Sequence, residues 1–356
     1  MLIFRQGAGH VRPSSAADPG LVFDSNFGDW LGFLCGTQLP TSFCTDAGIP
    51  VLDPSNLNTP SIAIGDLACV QTVTRRVTNV GASKATYTPS IFVTGLDAAV
   101  KPSSLTLAPG ESKSFTVTFT RTAAAPLNTY RGGQLRWSDG AHTVRVPVVL
   151  RPVALAAPTQ VGSGSYSVTF GYTGAFSATA RILIPAALTG GTVTQEPDQT
   201  FAPNQPAGTI AIPVTLPAGT TLARFSLFEG DVSSGSDIDL YVYRNADAAL
   251  VGTSGAGGSD EEVNLVNPTS GEYTGYIHGW GLPSGTSPFK LHVWALSAVN
   301  AGNMTVATPG GAMIGQTGTM TVTPDPALPS AARYLGSVAY SGVDGMPNPT
   351  IVRIDK

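Results

Sequence analysis

From about residue 55 to its end, the chain repeats one pattern: short apolar or β-branched runs separated by Gly, Pro, Asn and Asp. Phe115, Val117 and Phe119 alternate with polar residues, which predicts a strand with one buried face. Asp139-Gly140 lies between two such runs, and Asp-Gly in this position indicates a hairpin turn. Only 12% of the residues are charged, whereas Gly (41) and Pro (28) are frequent. This combination predicts an all-β chain of tandem β-sandwiches rather than a helical bundle.

The strand pattern divides the chain into four segments: 1–57, 58–152, 153–298 and 299–356. About seven predicted strands in segment 58–152 fit one β-sandwich. Segment 153–298 has enough predicted strands for a second β-sandwich. Segment 299–356 offers about three strands, and three strands with one apolar face need a partner sheet. We expect them to pair with residues 165–185, so that the region between is an insertion in a split sandwich.

Segment 1–57 lacks this pattern. Asp18-Pro19-Gly20 predicts a turn, because Pro presets φ and Gly accepts a positive φ. Apolar residues at near-helical spacing within residues 26–35 predict a short helix. One short helix with its loops cannot bury a core of its own. We therefore expect segment 1–57 to be the edge of a larger domain that is mostly absent from this chain.

The chain has three cysteines. Cys35 and Cys44 lie nine positions apart, and two interpretations stay open: a disulfide in an oxidising compartment, or two small buried thiols. Cys69 lies in an apolar run that resembles a strand, which predicts an unpaired buried thiol.

A series of motifs extends from residue 7 to about residue 152. They are, in order, 7–11 (GAGHV), 18–24 (DPGLVFD), 33–36 (FLCG), 57–64 (LNTPSIAI), 74–81 (TRRVTNVG) and 137–147 (WSDGAHTVRVP). This series resembles subtilisin-like serine proteases of the subtilase family. The first three motifs are similar to the run that closes the catalytic domain of that family, after its nucleophilic serine. The later ones are similar to the fibronectin-type-III-like domain that follows.

Three further motifs, at 225–228, 237–243 and 271–279, resemble the pre-peptidase C-terminal module. Such modules are jelly-roll-like domains that follow secreted proteases. The resemblance therefore implies a fibronectin-III-like sandwich and then a jelly-roll-like one, behind a short remnant of a catalytic domain.

A subtilase brings an Asp, a His and a Ser together for acyl transfer. The resemblance places the Asp and His far upstream of this chain and the Ser just before it, so we predict that this chain alone hydrolyses no peptide. Ser254 and Ser287 each follow Gly-Thr, as a nucleophile does, but they are followed by polar loop residues rather than an apolar helix. His10, His142, His278 and His292 are expected to be structural, with His142 exposed beyond a hairpin turn.

Acidic residues around Gly/Ser loops suggest a weak calcium site at Asp231, Asp237 and Asp239, because hard oxygen ligands suit Ca²⁺. No EF-hand spacing is present, and the alternative is a solvated polar face. We expect no other cofactor. Along residues 237–243 the Asp and Tyr side chains share one parity, which places them on the outer face of their strand.

Four aromatic residues, Tyr276, Trp280, Phe289 and Trp294, are either a binding patch for carbohydrate or protein, or core residues of a sandwich. Trp280 lies between two glycines and is the best exposed candidate, and the predicted binding residues are Trp280 and Tyr276.

The net charge of −4 and the scattered basic residues predict no nucleic-acid partner. No apolar run approaches the ~18 residues that span a bilayer, so no membrane partner is expected. Few lysines and many turn-rich strands are typical of secreted proteins, yet residues 1–4 form no signal peptide. We therefore expect a truncated gene, an alternative start or a piece cut from a longer protein.

The leading hypothesis is the non-catalytic C-terminal region of a secreted subtilisin-like endopeptidase, with an accessory, stabilising role. Its partners would be the missing catalytic domain and a protein or polysaccharide substrate. The alternative is a stand-alone extracellular β-sandwich protein that binds carbohydrate or another protein.

Overall fold

The N-terminal segment contains four short helices: α1 (Ile3–Gln6), α2 (Pro13–Ala17), α3 (Phe27–Thr37) and α4 (Thr41–Asp46). The structure, a computed structural model, describes residues 3–39, 41–122, 124–203, 207–330 and 332–356. Met1 and Leu2, part of the segment 1–57 predicted above, lie outside the described residues. A 3-10 turn at Pro54–Asn56 ends the segment. Within the described helices, no stretch has the length and apolar character that a membrane crossing requires.

The predicted helix is α3, and its start is set by a capping box. Asn26 Oδ1 accepts a hydrogen bond from the Asp29 backbone N–H (3.0 Å), and Asp29 Oδ2 accepts one from the Asn26 N–H (3.0 Å). Two donors that the first helical turn leaves unpaired are thereby satisfied. Cys35 in α3 forms a disulfide with Cys44 in α4. Of the two interpretations of this cysteine pair, the structure contains the disulfide.

The first sandwich is formed by β1 (Leu21–Val22) and the strands of segment 58–152. These are β2 (Ile62–Leu67), β3 (Val70–Asn79), β4 (Ala85–Val93), β5 (Leu96–Lys101), β6 (Leu105–Leu107), β7 (Ser112–Arg121), β8 (Arg131–Ser138) and β9 (Thr143–Pro152). The strand order is β1-β3-β7-β5-β4-β8-β9-β2, with β6 paired to β4. Phe115, Val117 and Phe119 are buried as their alternation predicts. The Phe115 ring contacts the Trp137 ring edge to face, with ring centroids 5.0 Å apart.

Two details of this sandwich bear on the predictions. β8 and β9 form the hairpin expected at Asp139-Gly140, with Gly140 at φ +94°. Cys69 is a free cysteine, but the prediction of a buried strand position is wrong. It is half-buried in the turn between β2 and β3, at φ +81°, a conformation that interrupts an extended strand.

A second sandwich begins with β10 (Leu155–Ala156), β11 (Gln160–Val161), β12 (Gly164–Phe170), β13 (Ser177–Ala180) and β14 (Ile184–Pro185). The chain then leaves it for a module built from β15 (Ala187–Thr194), β16 (Thr209–Leu216), β17 (Leu222–Ser226), β18 (Asp237–Arg244), β19 (Ala249–Ser254), β20 (Glu262–Val266), β21 (Gly271–Gly281) and β22 (Thr286–Leu296). A 3-10 turn, Glu229–Asp231, lies between β17 and β18. The chain returns to the second sandwich in β23 (Met304–Ala307), β24 (Thr317–Pro324), β25 (Arg333–Ser341) and β26 (Thr350–Asp355).

The second sandwich is thus assembled from two distant parts of the sequence. One sheet has the order β10-β12-β24-β23 and the other β11-β26-β25-β13, with β14 also paired to β25. Ser165 is paired with Thr321, and Ala178 with Tyr340. The pairing that we expected between residues 165–185 and 299–356 is therefore present. We call this unit the split sandwich.

The inserted module contains two four-stranded antiparallel sheets, β15-β22-β17-β20 and β16-β21-β18-β19. Its core lies between them and contains Phe225, Leu240, Ile277 and Leu291. The boundary predicted at residue 153 differs from this arrangement. Residues 155–185 pair with the C-terminal strands and not with the module, because their apolar residues share the core of the split sandwich. All sheets of the described chain agree with the all-β class, so that prediction is confirmed.

Candidate functional site

The N-terminal segment is fastened to the first sandwich by an imidazole. His142, in the β8–β9 loop, lies between two carboxylates: its Nδ1 is 2.8 Å from Asp139 Oδ2, and its Nε2 is 3.2 Å from Asp18 Oδ2. Hydrogen bonds to Asp139 and then to Asp18 raise the pKa of His142. Only 24% of this side chain is exposed, so the expectation of an exposed residue is wrong. The Asp18 turn folds over it.

Gly20 completes the same contact. Its φ is +75°, and a Cβ at this position would lie 2.5 Å from Tyr87 Oη and 2.9 Å from His142 Cγ. Such distances are shorter than non-bonded atoms tolerate, and L side chains rarely adopt this φ. The Asp-Pro-Gly turn therefore needs glycine both for its backbone and for its approach to the sandwich.

Asn58 fastens the segment at a second point. Its Nδ2 donates to the carbonyl oxygens of Asp24 (2.9 Å) and Arg76 (3.0 Å), and its Oδ1 accepts from the Arg76 backbone N–H (2.7 Å). Arg76 also forms ion pairs of 3.5 Å with Asp24 and with Asp29. One buried amide thus joins the N-terminal segment, the entry to β2 and strand β3.

Helix α3 packs on one side only. Gly36 approaches Leu52 so closely that a Cβ would lie 2.1 Å from the Leu52 carbonyl oxygen. On the solvent side, Phe27 is 80% exposed and Trp30 is 47% exposed, one helical turn apart. Other large apolar side chains of the segment are exposed as well: Phe4, Val11, Phe43 and Val51. We call Phe27 and Trp30 the α3 ridge.

Neither serine that resembles a nucleophile has a histidine partner among the described residues. Ser254 Oγ donates to Glu261, and Ser287 Oγ donates to the Pro288 carbonyl oxygen (2.9 Å). A base within hydrogen-bond reach is what would activate a serine hydroxyl. These contacts are structural, and no acyl-transfer site is built on them.

One serine, histidine and aspartate do lie together, at a place that the sequence did not indicate. Ser226 is the cross-strand partner of His292, and His292 Nε2 is 2.8 Å from Asp231 Oδ2. However, Ser226 is 1% exposed and His292 is 4% exposed. A substrate carbonyl cannot reach the Ser226 hydroxyl, so this group belongs to an interface rather than an active site.

That interface joins the inserted module to the split sandwich. Asp231 Oδ1 accepts from Lys290 Nζ (2.9 Å), and its Oδ2 accepts from Arg333 Nη1 (3.2 Å), which comes from β25. The Arg333 guanidinium lies over the Phe228 ring at 3.9 Å. Beside these charges, Leu222, Trp294 and Leu296 of the module form an apolar cluster with Leu335 of the split sandwich. We call this set the module interface.

The predicted calcium ligands are not brought together. Asp231 is occupied by Lys290, His292 and Arg333 at the module interface, whereas Asp237 and Asp239 lie on β18. Among the described residues, no group of three or more His, Cys, Asp or Glu side chains converges as metal ligands do. The combination Asp231, Asp237 and Asp239 is therefore wrong as one site, because the turn at 229–231 directs Asp231 toward β22.

Asp237 and Asp239 lie in a different environment. Asp239 is 6% exposed, and burial together with the charge of Asp237 raises its pKa to about 6. Burial also raises the pKa of Glu261, which accepts from Ser254 and from the Ala256 backbone N–H (3.1 Å).

The four aromatic candidates separate into two pairs. Phe289 and Trp294 are 2% exposed, Phe289 in the module core and Trp294 at the module interface, so the structure supports the core interpretation for these two. Tyr276 is half-buried and Trp280 is 39% exposed. Both lie on β21, on the outer face of the module sheet β16-β21-β18-β19. The structure adds Phe201, Tyr241, Tyr243 and His278 to them. The parity of the Asp and Tyr residues on β18 was the one signal for this face, and nothing in the sequence indicated Phe201.

The fold and its fastened segment define a class: a chain of β-sandwich domains led by a helical segment that lies against the first of them. Residues 56–150 match the family model described as "Fibronectin type-III domain". The chain is 41% identical over 158 residues to the subtilisin-like protease SBT2.5 of Arabidopsis thaliana, a match that covers 41% of this chain and 19% of the relative. The subtilisin-like protease Glyma18g48580 of Glycine max is 39% identical over 161 residues, covering 42% of this chain and 20% of the relative.

These findings confirm the predicted resemblance: about two-fifths of this chain is similar to the C-terminal region of a subtilase. The chain spans about a fifth of the length of the curated relatives that it matches. Among solved structures, the secreted serine protease VesC of Vibrio cholerae is 13% identical over 67% of this chain and 50% of its own, at a TM-score of 0.23. The CupB2 chaperone of Pseudomonas aeruginosa is 10% identical over 62% of this chain and 97% of its own, also at 0.23. Similarity at this level carries no argument about function.

Proposed function

We propose that this chain is the non-catalytic C-terminal region of a secreted subtilisin-like serine endopeptidase. In this role it holds the last part of the catalytic domain on the first sandwich and stabilises it there. The observation that carries the proposal is the contrast between the two sides of α3. One side of α3 packs on residues 50–54 of the same N-terminal segment, which Asp18 and Asn58 fasten to the sandwich. The α3 ridge on the other side is exposed.

The fastening explains how such a role works physically. Asp18, Gly20 and Asn58 tie the N-terminal segment to β3, β4 and the β8–β9 loop. A protein that packs on the α3 ridge is then held by the sandwich and not only by the connecting chain. Exposed aromatic and apolar side chains at helical spacing are typical of a surface that a partner covers. The partner that we propose is the catalytic domain.

The secreted location is supported by the Cys35–Cys44 disulfide, since disulfides persist in oxidising compartments. The chemistry of peptide hydrolysis would lie in the catalytic domain, where serine, histidine and aspartate act together. Among the described residues of this chain, Ser226, His292 and Asp231 lie together, but Ser226 and His292 are buried at the module interface.

The proposal can be tested with a subtilase catalytic domain that lacks its own C-terminal region, such as that of the Arabidopsis relative. We expect this chain to bind it and to raise its melting temperature. Phe27→Ala with Trp30→Ala should abolish both effects. Phe92→Ala, which removes a 71% exposed ring from the first sandwich, is the matched control and should leave them unchanged.

Two results would contradict the proposal. One is the absence of binding at concentrations where the control proteins are folded by circular dichroism. The other is hydrolysis of casein by this chain alone that a serine-directed fluorophosphonate abolishes.

A stand-alone binding protein is the second candidate function. It is favoured by one observation, the group of aromatic rings around Tyr276 and Trp280 on the outer face of the inserted module.

A further inference from the structure

Six aromatic rings form one contiguous group on the outer face of the sheet β16-β21-β18-β19. Phe201 stacks on Tyr241 with centroids 3.7 Å apart, and lies 5.7 Å from Tyr276 and 5.6 Å from His278. The group is completed by two further contacts, Tyr243 to Tyr276 at 5.5 Å and His278 to Trp280 at 6.3 Å. We call these six residues the aromatic face.

The aromatic face is directed away from the rest of the chain. The other sheet of the module carries Leu222, Trp294 and Leu296, which meet Leu335 of the split sandwich at the module interface. The face therefore lies on the opposite side of the module. None of its six rings belongs to the apolar cores that the described residues form. Tyr and Trp at such a surface are typical of binding sites, because their rings offer contact area at little cost in side-chain entropy.

Carboxylates stand at one end of the rings. Asp239 is the cross-strand partner of His278, two positions along the ladder from the pair Tyr241 and Tyr276. Asp237 precedes Asp239 on the same face of β18 and is paired with Gly281, next to Trp280. Aromatic and acidic side chains thus follow each other along two neighbouring strands.

These carboxylates have no basic partner within the part of the chain that the structure describes. The neighbouring acidic residues, Glu229, Asp260 and Glu261, also form no ion pair there. Asp231, in contrast, pairs with Lys290 and Arg333. Two polar atoms at the face are buried without a hydrogen-bond partner among the described residues, Asp237 Oδ1 and His278 Nε2. Buried polar atoms are usually satisfied, so each of these needs an explanation.

We propose that the aromatic face binds an extended peptide segment that carries Arg or Lys. The cationic side chain lies along the rings, where the ring faces attract it, and its charged end is held by the half-buried Asp237. The charge of the buried Asp239, which lies behind Asp237 on the same strand, adds to this attraction. Charge complementarity favours this occupant over a neutral sugar, since unpaired carboxylates favour a cation. The edge-to-face arrangement of His278 and Trp280 is also unlike the flat platform on which a sugar ring stacks.

The pH dependence of binding gives an additional readout. Burial and the charge of Asp237 raise the pKa of Asp239 to about 6, and Tyr241, His278 and Glu261 are the other titratable groups beside it. Asp239 is therefore ionised at pH 7.5 and largely neutral at pH 5. Binding of a cation should weaken over this range, whereas stacking of a neutral ligand should not.

The experiment titrates the full chain with a Gly/Ser peptide containing three spaced arginines, by calorimetry and Trp fluorescence at pH 7.5 in 0.15 M salt. A peptide with Gln in place of Arg and the neutral sugar cellohexaose are the comparison ligands. We expect binding of the Arg peptide alone, on the order of tenfold weaker at pH 5 and in Asp237→Asn with Asp239→Asn. Trp280→Ala, which truncates a surface ring, should weaken it similarly. Asp325→Asn with Asp344→Asn, two acidic changes away from the face, is the matched control and should bind as the parent does.

The proposal is overturned if the Arg peptide fails to bind, or if its affinity is the same in the Asp237/Asp239 variant. Binding of cellohexaose that Trp280→Ala removes would assign the face to carbohydrate instead. Because Trp280 is surface-exposed, its variant decides the matter even where the Asp pair does not fold. The proposal does not depend on the subtilase role, since no residue of segment 1–57 takes part in it.

Discussion

The Nε2 atom of His142 lies 3.2 Å from Asp18 Oδ2, and this contact joins the β8–β9 loop to the turn that precedes β1. Since Asp139 holds the other ring nitrogen at 2.8 Å, the imidazole is oriented by both carboxylates. Protonation strengthens both contacts, which is why the pKa of His142 is raised.

The first prediction concerns pH and His142. The pKa of this histidine is higher in the folded chain than the ordinary ~6.5, so its stabilising effect is fully present below that pH and is lost as pH rises through the raised pKa. Hydrogen exchange of residues 16–22 should therefore speed up between pH 6 and 8, after correction for the intrinsic rate. In His142→Gln this extra change should be absent, and His10→Gln should behave as the parent does. Equal pH responses in the two variants would contradict the assignment.

A second prediction concerns His292. The stability that it provides should depend on pH in the opposite direction from that of His142. Burial lowers its pKa, against the effect of Asp231, so the stability it supports is present above pH ~6.5 and is lost as pH falls through the folded value. Its Nδ1 is buried without a partner among the described residues, and protonation there would add a charge beside Arg333 and Lys290. The inserted module should loosen from the split sandwich at pH 5.

Limited proteolysis in the connections near residues 186 and 298 is the measurement for His292. Cleavage should increase between pH 7.5 and pH 5 in the parent and in His142→Gln, and much less in His292→Gln. A protease that works equally well at both pH values is needed. Cleavage that increases equally in all three proteins would show that another group causes the change.

The third prediction concerns Gly20, where a side chain would lower the stability for two reasons, its close contact with the sandwich and its positive φ. Gly20→Ala introduces a Cβ at φ +75° and only 2.5 Å from Tyr87 Oη, so it should lower the free energy of unfolding by about 2–4 kcal/mol. Gly110→Ala has nearly the same φ, +74°, with nothing within 4 Å of its Cβ, and should cost only about 1–2 kcal/mol. Urea unfolding followed by fluorescence gives both values. If the two variants lose the same amount, the turn does not press on the sandwich as described.

The fourth prediction concerns the disulfide of the N-terminal segment. Cys35→Ser with Cys44→Ser removes a cross-link between residues nine positions apart. Because the unfolded segment then gains conformational entropy, the change should cost about 2.5 kcal/mol of local stability. Hydrogen exchange should increase in α3 and α4 and stay unchanged in β7 and β8 of the first sandwich. Cys69→Ser, which changes the half-buried free cysteine, is the control. Loss of protection throughout the sandwich would indicate that the helices are part of its core.

Several parts of the fold could be predicted because they depend on neighbours in the sequence. The alternation around Phe115 fixes which side chains of β7 are buried, and the Asp139-Gly140 turn follows from the conformational preferences of two adjacent residues. The short helix α3 follows in the same way from the apolar spacing within residues 26–35. Even the split sandwich could be expected, since three orphan strands need a partner sheet.

The errors concern residues whose environment is set by chain segments far away in sequence. The apolar run around Cys69 predicts a strand, but the chain reverses there between β2 and β3, and Cys69 adopts a positive φ. Asp231, only six positions from Asp237, is directed by a 3-10 turn to Arg333, 102 positions along the chain. Spacing alone cannot reveal such a change of direction.

By itself, the sequence determined the all-β class, the strand periodicity, the turns, the short helix and the similarity to subtilases, because each depends on residues a few positions apart or on an ordered series of motifs. Only the tertiary structure decided that Asp18 meets His142, that Ser226, His292 and Asp231 are sealed at the module interface, and that Phe201 lies on Tyr241. The physical reason is that burial, and with it the pKa of a side chain and its access to a partner, depends on which distant surfaces fold against it.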